Sequence, residues 1–394
     1  MRLSGIWFPD PAKYSPRRLF CLDVLRGIDM LYLAVLAPFI NWRLFRFHLP
    51  DCTASESLRL LFMHNQSAFA PTATGISLHD FGQPLFLFIC GAAVPLALPK
   101  RLGPNGEPTA AFWKHLAYRV GLLAFFACLN RDLLKFDLGY FIPQADTLLV
   151  IAVGYLAAAL SILPRSPLVR WALPVAFAAV HWAVQQFCGD YTWDGNVNYA
   201  VDKAVFGGIG NSIKGIDGVR HYAFALTSLG FAAVSMFGAR ATELLLSEKA
   251  KSTKAYILAA FGFGAYIAGW IFTAWIPAVR YIYTLSFILM TTGLSALCLV
   301  GLYVATDILM LRRYAGPLLL FGSSSLFVWE VSVFGVKTVE TLATRIAGDL
   351  PNLFGPGIHQ LVYVGIAEMC IITVAAAVWY RLKSTFKQER VSQK

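Results

Sequence analysis

Charge is scarce in this chain: Asp, Glu, Lys and Arg make up only 14% of its 394 residues. Soluble domains carry about a quarter, so an ordinary water-soluble globular fold is excluded. Met1–Phe20 has no central apolar core and no small-residue cleavage site, so it is expected to be a retained tail rather than a leader peptide. Short alternating segments are missing, which excludes a closed membrane barrel. No CxxC or HxxxH spacing suggests a bound metal. No G-x-S-x-G elbow, Walker loop or G-x-G-x-x-G in a helix context is found. The seven cysteines are odd in number and form no disulfide framework.

Long apolar runs are present instead. The chain is 57% hydrophobic, with a mean hydropathy of +0.60. About ten stretches reach the roughly 20 residues a span needs. They are 24–42, 81–99, 112–130, 144–164, 169–188, 220–239, 255–276, 282–308, 314–336 and 359–380. The expected fold is all-α, a polytopic transmembrane helical bundle. It comprises a tail over 1–22, a single membrane domain over 23–381 and a basic tail over 382–394.

Charge bias sets the orientation. Of the 33 Lys and Arg residues, 20 fall on the N-tail, the even-numbered loops, the C-tail and their flanks. Only 10 fall on the other loops, and Arg26, Arg119 and Arg220 lie inside spans. Basic residues gather on the cytoplasmic side, so both termini are expected there. The net charge of +11 then reflects topology and anionic lipid, and nucleic acid is not an expected partner. The elaborate loops, Arg43–His79, Gly189–Gly218 and Lys337–Gly357, are expected to face outward. Cys52 and Cys188 lie in or beside those loops, where an oxidising compartment would allow a bridge. Gly91 and Gly262-Phe263-Gly264 suit close helix packing. Trp42, Trp171, Trp193 and Trp275 suit an interfacial belt.

Against this apolar background the charged residues stand out. In Leu22-Asp23-Val24-Leu25-Arg26-Gly27 an acid and a base mark the start of the first span. Asp29 continues the three-residue spacing on one broad helix face. Intramembrane charges are costly, and as a set they mark a site or a path. Arg119, Asp146, Glu330 and Glu368 fall in other spans, with His181 and His221 in or near two more. Asp307 and Arg280 lie at span ends, where rim charges are ordinary.

The outward end of the second span reads Gly75-Ile76-Ser77-Leu78-His79-Asp80-Phe81-Gly82-Gln83-Pro84. A histidine here can act as a base near neutral pH, oriented by a carboxylate. Equally, Asp80 can cap the helix while His79 is an interfacial side chain. His64 is a second candidate base.

These residues resemble a known family. Arg18-Leu19-Phe20-Cys21-Leu22-Asp23-Val24-Leu25-Arg26-Gly27 is similar to the R-x-x-S-L-D-x-x-R-G opening of heparan-α-glucosaminide N-acetyltransferase-like membrane proteins, with Cys21 in place of Ser. Gly75, Asp80, Pro84, Phe86, Phe88 and Gly91 fall in register with that family's G-x-x-x-x-D-x-x-x-P-x-F-x-F-x-x-G block. Pro143-Gln144, Trp275-Ile276-Pro277 with Tyr283-Thr284-Leu285-Ser286-Phe287, and Phe321-Gly322-Ser323-Ser324-Ser325-Leu326 resemble later elements, with Ser324 where Asn is usual. The likeness covers about 20–330. A D-x-x-R-G start also occurs in broader membrane acyltransferase families.

The resemblance implies acyl transfer from a cytosolic acetyl-CoA or other acyl-CoA to a sugar amine or hydroxyl on a glycan at the outer face of a bacterial inner membrane. It implies no metal, surrounding membrane lipid as a partner, and room for a homodimer. Asp23, Arg26 and Arg119 would hold the donor, with His79 or His64 and Asp80 as catalytic groups. Gln83, Gln144, Asp146 and Glu330 would bind substrate. The family's histidine stands in an H-x-x-W-x-G context, yet this chain has Ala70 and Ala73 at those positions. A transporter or flippase for a polar or anionic solute, or a non-catalytic relative that binds a glycan or lipid, would carry the same buried charges.

Overall fold

Where no water can satisfy the backbone, an apolar chain satisfies itself by coiling into helices. Every regular element among the described residues is helical, in agreement with the all-α expectation. The structure, a computed structural model, describes residues 9–11, 18–40, 62, 76–130, 146–192, 195–206, 223–313, 315–348 and 360–392. In chain order the helices are α1 (Phe20–Leu31, continued by a π turn over Tyr32–Leu36), α2 (Leu78–Ala92) and α3 (Ala110–Asn130). Then come α4 (Thr147–Ser161), α5 (Pro167–Cys188), α6 (Val197–Phe206), α7 (Ser228–Leu246), α8 (Lys251–Phe272) and α9 (Leu285–Tyr303). Last are α10 (Gly316–Ser323), α11 (Ser325–Val333), α12 (Val336–Ala347) and α13 (Gln360–Ser392).

Six helices among the described residues are long and apolar enough to cross a membrane: Leu78–Ala97, Pro167–Cys188, Ser228–Leu246, Lys251–Phe272, Leu285–Ile308 and Val362–Thr385. A seventh is added if α10 and α11, bent by 74° at Ser324, count as one span. Of the remaining expected stretches, α4 is only 15 residues long and α3 carries Lys114, His115 and Arg119.

The described residues group into two compact units. One is drawn from Met1–His64, Ser77–Gly82 and Leu302–Lys394, the other from Asn65–Ile76 and Gln83–Gly301.

In the first unit α1 packs against α10 with almost no side-chain spacer. A Cβ on Gly27 would sit 1.9 Å from the Leu318 carbonyl oxygen, and one on Gly322 would sit 2.2 Å from that of Asp23. Small residues allow this approach, as in membrane helix pairs generally. Phe20, Val24, Ala315 and Leu319 fill the seam. Asp307 accepts from Arg312 at 2.9 Å, so this rim acid has its own counterion. The segment expected as the third outward loop begins as an amphipathic helix instead. In α12, Val339, Ala343 and Ala347 recur every four residues on the buried side, and the last two pack on Tyr363, Val364 and Ala367 of α13.

In the second unit α7 is central, with 78% of its apolar window buried against 17% for α5 and α8. That contrast assigns the outer faces of α5 and α8 to apolar surroundings. Gly91 lies against the Ser235 carbonyl and Gly238 against that of Phe88, so α2 and α7 touch through their backbones. Gly262 packs tightly on Leu297 and Gly293, whereas Gly264 meets nothing within 4 Å. Only the first of that pair is a packing glycine.

One expected boundary moves. The stretch 220–239 appears as a helix from Ser228 to Leu246. Arg240, which the charge count treated as a flank, is therefore inside a helix and fully buried. Glu243 at 3.2 Å and Ser161 make that possible.

Candidate functional site

In the first unit, Arg26 donates to Asp23 at 3.1 Å, and Arg18 approaches the other oxygen of the same carboxylate at 3.6 Å. Two guanidiniums on one carboxylate leave a net positive charge where α1 begins. One turn further along α1, Asp29 is buried, at 2% exposure. Neither of its oxygens has a hydrogen-bond partner among the described residues. Nor does the hydroxyl of Tyr32, one turn beyond. Burying a carboxylate without a donor is costly. A carboxylate in that state is a place where a ligand's hydrogen-bond donor is favoured.

Tyr32 links this line to the start of α2. Its ring meets the imidazole of His79 edge-on, with centroids 6.3 Å apart. Its hydroxyl lies within electrostatic reach of both Asp29 and Asp80. Asp80 is buried. The cap of α2 is supplied by Ser77, whose Oγ accepts from the Asp80 N–H at 3.0 Å. Asp80 therefore sits in the first turn, favourably placed for a carboxylate at a helix N-terminus. Asp29, Tyr32, His79 and Asp80 thus form one acid–phenol–imidazole group, its two carboxylates buried and its two rings half-buried. The sequence singled out Asp29, His79 and Asp80 but not Tyr32, and only the fold brings α1 and α2 together there.

The second unit holds a separate polar cluster. Gln83 is buried, with the Tyr283 hydroxyl 3.5 Å from its Oε1. Tyr283 has φ = 46°, a left-handed conformation that is a genuine outlier for a bulky side chain. It is held by Phe231 and Phe287 against its ring. Thr284 and Ser286 secure the turn by donating to the Pro277 carbonyl at 2.8 and 3.1 Å. Strain of this kind gathers where a site needs a fixed geometry.

Beside it, His181 is fully buried on α5. Its Nε2 lies 3.1 Å from the Asn198 Oδ1 and 3.2 Å from the Gln185 Nε2. Gln185 donates to the Ile282 carbonyl at 2.7 Å, and Thr227 donates to Asn198 at 3.1 Å. A Cβ on Gly230 would come within 3.2 Å of both Tyr283 Cβ and His181 Nδ1, so glycine there admits both rings. Pro174, Ala178, His181 and Gln185 form the buried stripe of α5, and their helical spacing was available in the sequence.

The other expected site residues are dispersed. Arg119 is exposed on α3, contrary to its expected burial in a span. This helix buries only Phe112, Leu116 and Ala127. Asp146 is the N-cap of α4, accepting from the Leu148 N–H at 2.8 Å. Glu330 is half-buried on α11, and Glu368 is half-buried on α13. Arg280 is buried rather than a rim charge, lying over the Tyr281 ring. Cys188 ends α5 as an exposed free thiol. His64, Gln144, His221, Cys52, Trp42 and Trp193 lie outside the described residues.

No protein-family model matches the chain, and no curated protein shows significant similarity to it.

Proposed function

We propose that this protein is an integral membrane acyltransferase. It spans a bacterial cytoplasmic membrane about ten times with both termini inside, and transfers an acetyl or other acyl group from acyl-CoA to a glycan amine or hydroxyl at the outer face. The observation that carries the reading is the buried Asp29 carboxylate, which has no donor among the described residues, beside the Tyr32–His79 contact. A sugar hydroxyl or ammonium is the kind of donor such a carboxylate lacks. The motif likeness around Asp23–Arg26 and Gly75–Gly91 supports the choice of chemistry.

In this reading Arg26, with Arg18 sharing its acid, meets a donor phosphate, a role suited to guanidinium. His79, or His64 in its place, accepts the acceptor's proton as the new carbon–nitrogen or carbon–oxygen bond forms. The carbon–sulfur bond breaks and the CoA thiolate leaves. Asp80 stabilises the imidazolium, a form of general-base help worth about 10²–10⁴-fold.

A second reading, a carrier for a polar or anionic solute, draws support from the 74° break between α10 and α11. Broken helices of this kind line transporter sites. Proteoliposomes loaded with acetyl-CoA and given an external amino sugar separate the two. The enzyme yields acetylated sugar outside in step with CoA release. Solute uptake without CoA release would replace the enzyme with the carrier.

A further inference from the structure

Within the second unit a groove of about 380 Å³ runs between α4, α5 and α7. Leu156, Ala157, Leu160, Leu173, Phe177 and Met236 form most of its walls. Leu156 and Leu160 remain 38% and 41% exposed. The groove therefore opens on the apolar side of the unit, on the face of α5 that the unit leaves largely uncovered. Two serines line it, Ser161 as the last residue of α4 and Ser228 as the first of α7.

Behind Ser161 lies a cationic group. Arg240 donates to the Ser161 carbonyl and Oγ at 3.4 and 3.3 Å. Arg240 and Arg170 each lie 3.2 Å from the same oxygen of Glu243. Two guanidiniums thus share one carboxylate, and the Arg240 Nε is buried without a partner among the described residues. Arg170 is about one-third exposed, so one cation can be reached from outside. In sequence Arg170 follows Pro164-Arg165-Ser166-Pro167, and Arg240 and Glu243 precede Lys249–Lys251, two of the basic loops.

An apolar trough ending at an excess positive charge is complementary to one amphiphile class: a hydrocarbon chain carrying an anionic head. We propose that this groove binds an anionic phospholipid, with one acyl chain along Leu156, Leu160 and Phe177 and the headgroup phosphate on Arg170 at the Ser161 end. The site rests on the membrane placement proposed above but not on the acyltransferase chemistry. A lipid held here fills the gap between α4 and α5, each of which packs on α7.

The test is native mass spectrometry of the full chain in detergent, titrated with phosphatidylglycerol or phosphatidylcholine. The expected result is retention of phosphatidylglycerol at about tenfold lower concentration than phosphatidylcholine. Arg170→Gln should abolish the preference, and Ala157→Phe, which fills the groove, should weaken both lipids. Arg170→Gln changes a partly exposed side chain, and an unchanged melting transition verifies its fold. Equal binding of the two lipids, or a preference that survives Arg170→Gln in folded protein, would overturn the proposal. Alkaline extraction of native membranes tests the placement separately. A chain released by alkali would remove the membrane placement, whatever the lipid titration gives.

Discussion

Arg26 spends its guanidinium on Asp23, at 3.1 Å, and not on Asp29, which lies the same three residues away in the other direction. The helix start therefore carries a paired charge, while the deeper carboxylate is left without a donor among the described residues. In the proposed enzyme the first group receives the donor's phosphate and the second awaits the acceptor.

If Arg26 serves the donor, Arg26→Gln raises KM for acyl-CoA about tenfold or more and leaves KM for the acceptor near its wild-type value. A guanidinium fits phosphate in a way an amide does not. Arg26→Lys recovers part of the loss. Initial rates over a grid of both substrates check this, and equal changes in the two KM values would contradict it.

Gly27 is a contact rather than a hinge. Gly27→Ala places a Cβ against the Leu318 carbonyl, and overpacking of this kind costs about 1–3 kcal/mol. Gly264→Ala, in open space on α8, is expected to be neutral or stabilising by up to about 1 kcal/mol through helix propensity. Thermal unfolding of both variants in one detergent shows whether they diverge in this direction.

Asp202, on α6 outside the spans, accepts from the Phe224 and Ala225 N–H groups at 2.7 Å each. Burial lifts its carboxyl above the usual range, and the two amide hydrogen bonds pull less strongly the other way. The folded-state pKa thus exceeds the unfolded value of about 3.9. Its contribution to stability is full below the unfolded value and is lost as pH rises through the folded one. Asp202→Asn removes this pH-dependent component. It also loses an acceptor, at a cost of about 1–3 kcal/mol. Melting curves across the carboxylate range test both effects, and an unchanged slope in the variant would contradict the first.

Cys188 gives a direct check of orientation. It ends α5 as an exposed free thiol, on the outward side if both termini are cytoplasmic. A membrane-impermeant maleimide applied to intact cells is expected to label wild-type protein, with labelling reduced in Cys188→Ser. Labelling of Cys188 only after lysis would reverse the topology.

Much of this was legible in the sequence, for identifiable reasons. Unbroken apolar runs dictate helices, whereas the stripe of Pro174, Ala178, His181 and Gln185 has helical spacing but was singled out only by the fold. Residues whose role depends on a distant partner were not legible. Asp29 looked like a companion of Asp23 and Arg26, because spacing does not reveal which acid the arginine chooses. Arg240 looked like a flank because the hydropathy window closed too early; Ser161 and Glu243 keep it buried. The partners of Asp202 lie more than twenty residues away, and no local pattern announces them. Tyr283 lay inside a recognised motif, yet its left-handed backbone is set by packing that only the folded chain displays.

In the proposed enzyme an imidazole and the Asp29 carboxylate together handle the acceptor. Acyl transfer by purified protein, with acetyl-CoA and an amino sugar, tests it in three chains: wild type, Asp29→Asn, and the double variant His64→Ala with His79→Ala. The double variant is expected to lose about 10²–10⁴-fold in transfer rate. For Asp29→Asn a raised acceptor KM is expected, with the donor KM unchanged. Full transfer by the double variant would contradict this assignment.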